Sequence, residues 1–273
     1  MNGPAPSTVP SFRYGYATDR GLRRALNEDS LLATDRLVAI ADGMGGHEAG
    51  EVASALCLKL LGEGLGTVPG RTDPDQLGAL LERTDQQIID VGAGRAGTTL
   101  TGAVLVDEMA STAAAQPQLL VFNVGDSRTY LWSHDQLQQV SIDHSEVQEM
   151  VDSGQLSPDE AANYPRRHVI TRALGINADS HPDFWLLPVA GTERILVCSD
   201  GLSSEVGDEK IEEILAYFPD PQQAAEELVQ AALTAGGRDN ISVIVADVQY
   251  GHPDDVEVTV PRLSTMSHTE ETS

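Results

Sequence analysis

Lysine is nearly missing from this 273-residue chain. Only Lys59 and Lys210 occur, and basic residues of both kinds number 17 against 42 acidic ones. The resulting net charge of -25 excludes nucleic acid or an anionic membrane as a surface partner, because such a field repels polyanions. A phosphate-bearing substrate is repelled too, unless the site reverses the sign locally. Adaptation to high salt and a lineage's compositional bias both fit this balance. Cysteine is scarce as well: Cys57 and Cys198 are the only two. They leave room for a single disulfide, but their apolar surroundings point to two buried thiols in a reducing cytosol. No apolar run approaches the roughly 18 residues of a helical membrane span. The opening "MNGPAPSTVPS" has neither a basic start nor an apolar stretch, which excludes a secretory signal. A cytoplasmic, membrane-free protein is expected.

What is present suffices for a sizeable core. With 41% hydrophobic and 22% charged residues, the chain suits one large domain or two small ones. Residues 1–11 are polar and read as disordered, and residues 250–273 read as a flexible tail, although "VEVTV" inside it is compatible with a stray edge strand. Between them, over 12–249, two periods alternate. "FRYGYATD" and "DRLVAIADG" read as strands. "GEVASALCLKLLGEGL" places Val52, Leu56 and Leu60 at helical spacing, and a second helix starts near Asp73-Pro74. Two long β runs follow, "GTTLTGAVLV" and "QLLVFNVGDSRTYLW", joined by a loop. Ser157, Pro158 and Glu160 form a capping box, and Asp220, Pro221 and Gln223 repeat that start signal. "ERILVCSDG" and "NISVIVADV" complete the strands. Long β runs in succession without an intervening helix argue for antiparallel pairing and against a doubly wound parallel sheet. The fold class is α+β, and helices in pairs suit the outer faces of two packed sheets.

Four acids share one situation. Asp42 follows "LVAIA", Asp126 follows "LVFNVG", Asp200 follows "ILVCS", and Asp239 precedes "NISVIV". Taken singly, each Asp beside a Gly reads as a hairpin turn. Taken together, they are acids at the ends of buried strands, which converge at one edge of the sheets. Crowded carboxylates raise one another's pKa, and a hard divalent cation relieves the repulsion. Oxygen-only ligands favour Mg2+ or Mn2+ over Zn2+. Glu28 and Asp29 add two acids before another strand. Arg24, four residues ahead of Glu28, is either a surface salt-bridge partner or the complement of a phosphoryl group. The run "ADGMGGHEAG" has the glycines of a phosphate cradle but no Lys or Arg.

The ordered set "RRALNED", "ADGMGGHEAGEVAS", "GTTLT", "VGDSRTYL", "ITRALG", "CSDGLS" and "GGRDNISVIV" resembles the metal-dependent protein phosphatases of the protein phosphatase 2C type. It is most similar to bacterial serine/threonine phosphatases paired with transmembrane kinases. The resemblance covers about residues 12–248 and implies a four-layer αββα sandwich of two antiparallel β-sheets flanked by helix pairs. It implies that Asp42 bridges two ions, that Glu28 and the Gly43 carbonyl complete one of them, and that Asp200 and Asp239 serve the other. Asp126 with Asp200 corresponds to a third, weaker ion, Arg24 to the phosphate-binding arginine, and Asp29 to an acid supporting the ligands. The implied reaction is hydrolysis of phosphoserine and phosphothreonine by a metal-activated water, without a phosphoenzyme. The implied partners are serine/threonine kinases and their phosphorylated substrates, met by a monomer.

The chain departs from the family pattern at three places. Met44 stands where eukaryotic members carry a His proposed as general acid; bacterial members commonly have Met, so a water would protonate the leaving alkoxide. Ser204 replaces an Asp that many members use at the third ion. His168 falls in the flap, about 145–177, where bacterial relatives tend to have Ser or Asn, and it reads either as a ligand or as a solvent-facing residue. Two alternatives remain: a phosphatase-fold binding module without catalysis, and a phosphatase of a sigma-factor regulator. Other chemistry is excluded. "HEAGE" is not the H-E-x-x-H of zinc proteases, no Walker loop occurs, and Ser199 lacks a G-x-S-x-G setting.

Overall fold

The computed structural model describes residues 10–45, 49–66, 72–107, 117–161, 164–166, 168–176, 180–189 and 193–250. Eleven strands and seven helices are formed by these residues. One sheet has the order β1 (Pro10–Asp19), β11 (Ile241–Tyr250), β10 (Arg194–Cys198), β7 (Arg128–Ser133), β8 (Gln136–Gln139). The other has the order β2 (Asp29–Ala33), β3 (Leu37–Gly45), β5 (Leu100–Asp107), β6 (Pro117–Val124), β9 (Asp183–Pro188), with β4 (Ala96–Thr98) paired to β3. Every pairing is antiparallel.

Side-chain alternation along the strands builds three apolar layers. In β3, Val38 and Ile40 face the other sheet, packing near Ile195, Val197 and Ile244. Leu37, Ala39 and Ala41 of the same strand face outward, toward Cys57, Leu61, Leu77 and Leu81. Those four come from α1 (Ala49–Leu65) and α2 (Pro74–Gly92). On the second sheet Leu196 and Cys198 of β10 point outward, against Ile211, Leu228 and Ala232. These belong to α6 (Asp208–Tyr217) and α7 (Pro221–Ala235). A strand buried on both faces reads as a continuous apolar run, which is why "LVAIA" and "RILVC" lack polar alternation. The result is the expected αββα sandwich. Cys57 and Cys198 lie in different outer layers, both as free, buried thiols, so they are not within reach of a disulfide.

The capping signals act as expected. Gln76 N–H donates to Asp73 Oδ1 at 2.8 Å, and Gln223 N–H to Asp220 Oδ1 at 3.1 Å. Ser157 N–H donates to Glu160 Oε2 at 2.9 Å, at the start of α4 (Pro158–Ala161). Three expectations need correction, and two strands went unpredicted. The chain enters β1 at Pro10, which pairs with Tyr250, so neither residues 10–11 nor residue 250 belongs to a disordered end; residues 1–9 and 251–273, including "VEVTV", lie outside the described residues. The stripe buried by α1 is Ala53, Cys57 and Leu61 with Ser54 and Leu58, whereas Val52 is 49% exposed. A strict four-residue row such as 52-56-60 winds off the face of a helix with 3.6 residues per turn. The run 118–132 is two strands in different sheets, broken at Gly125, whose φ is +107°. Finally, β8 and β9 had no clear signal, being short, half-exposed edge strands.

Candidate metal centre

The strand ends assemble the site through register. Asp29 at the start of β2 pairs directly with Asp42 near the end of β3. Gly43 N–H then donates to the Glu28 carbonyl at 3.2 Å. Gly43 has no room for a side chain, since a Cβ there would collide with the carbonyl oxygens of Gly50 and Glu28. Glycine thus lets the first turn of α1 sit directly on the strand end. The backbone of Asp42 is held on both sides: its N–H donates to Thr99 Oγ1 at 3.1 Å, and its carbonyl accepts from Thr99 N–H at 2.9 Å and Thr98 Oγ1 at 3.0 Å. Thr99 Oγ1 also meets Ser127 Oγ at 2.8 Å, which links this strand end to the turn carrying Asp126.

The second sheet contributes Asp200, which opens the short helix α5 (Asp200–Ser203), and Asp239, just before β11. Ser199 ties the two sheets together. Its Oγ donates to Asp29 Oδ2 at 2.8 Å and accepts from Ser242 N–H at 3.0 Å. That role agrees with its exclusion as a nucleophile. Asn240 is a hub for the loop before β2: Oδ1 accepts from Glu28 N–H at 2.9 Å, and Nδ2 donates to the carbonyls of Arg20 at 2.9 Å and Leu26 at 2.8 Å. This loop carries Arg24, whose Nη2 donates to Asp239 Oδ2 at 2.6 Å.

One cleft of about 410 Å³ is lined by Arg24, Glu28, Asp42, Gly43, Asp126, Asp200 and Asp239, and also by Met44, His168 and Ser204. Asp29 lies behind the cleft wall and does not line it. His168 and Ser204 are exposed there. Thr99, Ile170, Gly201 and Arg238 of the same wall lie in the quoted motifs without an assigned role, and Glu205 lies outside those motifs. Arg238 forms a two-pronged pair with Glu205, at 2.8 Å and 2.9 Å. Neither a pattern nor a spacing marks that pair in the sequence, because residues 205 and 238 meet only through the packing of α5 beneath α7.

Withdrawal from water and mutual repulsion raise the proton affinity of these acids. Removal from water pushes Asp42 well up, and Asp29, Asp200, Asp126 and Asp239 add to it. Asp126 is pushed up by burial and then by Asp200 and Asp143. Asp200 rises to about 6, through burial and Asp239, against the pull of Arg24 and Arg128. Burial takes Asp29 to about 7, although the Ser242 and Ser199 hydrogen bonds oppose it. Asp29 Oδ1 and Asp200 Oδ1 are buried without a hydrogen-bond partner, an arrangement that costs free energy unless another group supplies positive charge. Among the described residues, no three His, Cys, Asp or Glu side chains lie close enough together to form a ready-made metal cage. The donor set is nevertheless carboxylate and carbonyl oxygen only, it is short of positive charge, and it keeps an unmet oxygen on Asp200. It therefore fits a hard divalent cation and not a soft one.

The comparisons with known proteins agree with this geometry. The family model described as Protein phosphatase 2C matches residues 23–235. The serine/threonine protein phosphatase PstP of Mycobacterium tuberculosis is 38% identical over 268 residues, covering 92% of this chain and 50% of that protein. The chain thus spans about half the length of this mycobacterial relative. The serine/threonine phosphatase stp of Listeria innocua is 32% identical over 246 residues, covering 85% of this chain and 94% of that protein. A crystal structure of the PstP catalytic domain in complex with 2 manganese ions superposes with a TM-score of 0.76 at 38% identity, covering 88% of this chain and 100% of that one. The sequence match, the sandwich and the acid-lined cleft at its edge lead to one assignment: the chain belongs to the protein phosphatase 2C family.

Proposed function

We propose that this protein is a metal-dependent protein serine/threonine phosphatase that hydrolyses phosphoserine and phosphothreonine in proteins. The observation that carries the reading is the convergence of Glu28, Asp42, Asp126, Asp200 and Asp239, from both sheets, on one cleft that also holds Arg24. In this reading Asp42 is shared between two Mg2+ or Mn2+ ions. Glu28 and the Gly43 carbonyl complete one of them, and Asp200 and Asp239 hold the other. Asp126, with Asp200, holds a weaker third. Bound ions would supply Lewis acidity and lower the pKa of a water toward neutrality, for hydrolysis without a phosphoenzyme.

The chain's own groups do the rest. Arg24 offers its guanidinium to the phosphoryl oxygens, where a planar fork suits the geometry. Asp29, locked by Ser199, keeps Asp42 and its neighbours oriented from behind. Met44 has no proton to give, so solvent protonates the leaving alkoxide. His168 and Ser204 stand at the open side of the cleft, where the flap meets a substrate. The substrates are phosphorylated proteins, and serine/threonine kinases with their targets are the proposed partners. A monomer in the cytoplasm is the proposed setting. It agrees with the separated thiols, and among the described residues no helix is long and apolar enough to cross a membrane.

Hydrolysis of a phosphothreonine peptide and of p-nitrophenyl phosphate tests the reading, with Mn2+, with EDTA and with Asp42→Asn. Both substrates should be turned over with Mn2+ only. The two-ion mechanism fails if activity survives both EDTA and the substitution. Absence of activity with any divalent ion, alongside retained Mn2+ binding, would favour a phosphatase-fold binding module.

A further inference from the structure

Asp126 sits in a turn that is gripped from behind by a residue with no part in the reading so far. His144 is buried, with a relative exposure of 6%. Gly125 N–H donates to its Nδ1 at 3.1 Å, and His144 N–H donates back to the Gly125 carbonyl at 2.9 Å. Asn123 Nδ2 donates to that same carbonyl at 3.0 Å. The two peptide groups that flank Gly125, just ahead of Asp126, are therefore both held. Gly125 itself adopts a φ of +107°, and a Cβ there would strike the Thr99 side chain, so the turn requires glycine at this position.

The ring's tautomer follows from its partners. Nδ1 accepts a hydrogen bond, so the single ring proton of the neutral form is on Nε2. Nε2 lies 3.1 Å from Asp183 Oδ2 and 3.2 Å from Arg172 Nη1; with the proton on Nε2, Asp183 accepts from it and the Arg172 contact is not a hydrogen bond. Arg172 Nη1, 3.0 Å from Asp183 Oδ1, holds that carboxylate in place. Burial lowers the proton affinity of the ring, with Arg172 adding to this and Asp183 opposing it, in keeping with a neutral imidazole.

The same residue also holds the flap. The His144 carbonyl accepts from Thr171 N–H at 2.8 Å. Next to it, Ser145 bridges to Ile170, and Glu146 N–H donates to the Val169 carbonyl at 2.8 Å. Ile170 and His168 line the same cleft as Asp126. His144 thus holds both the turn of a candidate ligand and the flap segment that lines the same cleft.

We infer that His144 is a positioning residue that couples the flap segment 168–171 to the Asp126 turn, so that the two keep one relative placement. This inference rests on the reading of Asp126 as a ligand for the weakest ion. It assigns the ring a job that is distinct from packing: Nδ1 must accept from Gly125. An asparagine places its Oδ1 close to where Nδ1 stands, whereas a leucine of similar bulk offers no acceptor.

Mn2+ titration by calorimetry and amide hydrogen exchange test it, on the wild type, His144→Leu, His144→Asn and Asp183→Asn. In His144→Leu the exchange of both Gly125 and Thr171 amides should rise at least 10-fold, and the weakest Mn2+ site should lose at least 10-fold in affinity while the tighter ones hold. His144→Asn should restore most of both effects. Asp183→Asn, at a partly exposed position, should loosen Gly125 and Thr171 together, to a lesser degree. The inference is overturned if Gly125 and Thr171 respond independently, if the weakest site is unmoved in every variant, or if His144→Asn behaves like His144→Leu. Should His144→Leu not fold, the paired response in Asp183→Asn decides. A wild type that binds no Mn2+ overturns the ligand reading itself, and is told apart because the exchange data then stand alone.

Discussion

Arg24 Nη2 lies 2.6 Å from Asp239 Oδ2, although 215 residues separate the two in sequence. Its side chain is 50% exposed, against 31% for Asp239. A half-exposed pair of this kind contributes little to stability, about 1 kcal/mol or less, so its placement at the cleft is better explained by chemistry. Arg24→Ala should lower kcat/KM on a phosphopeptide about 100-fold, as loss of a transition-state donor does, with a nearly unchanged melting temperature. Arg24→Lys should recover only part, since a point charge does not reproduce the fork. Steady-state kinetics beside thermal melts check this; unchanged kinetics in Arg24→Ala would remove the residue from the site.

The crowded acids set a pH dependence with a definite sign. In the folded chain Asp29 is raised from 3.8 to about 7 and Asp200 to about 6. The folded state therefore binds more protons than the unfolded one, and stability falls as pH rises from about 4 to about 7. With EDTA present the protein should melt lower at pH 7.5 than at pH 5.5, and saturating Mn2+ should flatten that slope. Asp29→Asn should raise the EDTA melting temperature at pH 7.5, with about 4 kcal/mol as an upper bound from the shift. A melting temperature in EDTA that climbs with pH over this window contradicts the electrostatic account.

Asn240 is the next point of leverage. Three hydrogen bonds from its side chain organise the loop that carries Arg24 and Glu28. Asn240→Ala leaves the Glu28 N–H and two carbonyls without partners, which should cost about 2–4 kcal/mol. Asn240→Asp keeps the acceptor for Glu28 but loses both donors, so it should fall between. Denaturant melts of the two variants measure the ranking, and equal stability of all three proteins would refute it.

The two thiols give a simple test of the layered core. Burial pushes both Cys57 and Cys198 up to about 12, so neither supplies a thiolate near neutral pH. The native protein should release no chromophore from an aromatic disulfide reagent at pH 8, and two equivalents after denaturation. Fewer than two equivalents under non-reducing denaturation would mean that the cysteines are oxidised.

Much of this was legible in the sequence because burial writes itself into composition. The doubly buried strands "LVAIA" and "RILVC" have no polar alternation; the first runs directly into Asp42, and the second reaches Asp200 after Ser199. The helix starts at Asp73, Ser157 and Asp220 were legible because capping is local. What failed was decided at longer range. The break at Gly125 moves one continuous apolar run from one sheet to the other, and periodicity carries no sign of which sheet a strand joins. The edge strand β9 had a weak pattern, yet its Asp183 reaches back to His144 across 39 residues.

The sequence by itself determined the fold class, the family and the chemical type of the site, because strand burial, caps and a run of acids at strand ends are local signals that add up along the chain. Only the tertiary structure decided which acids share a wall and which stands behind it. It placed Asp29 opposite Asp42 by strand register, set Ser199 between the two sheets, and paired Arg24 with Asp239 and Arg238 with Glu205. Those relations depend on how two twisted sheets meet at one edge, a three-dimensional fact for which no stretch of sequence holds both partners.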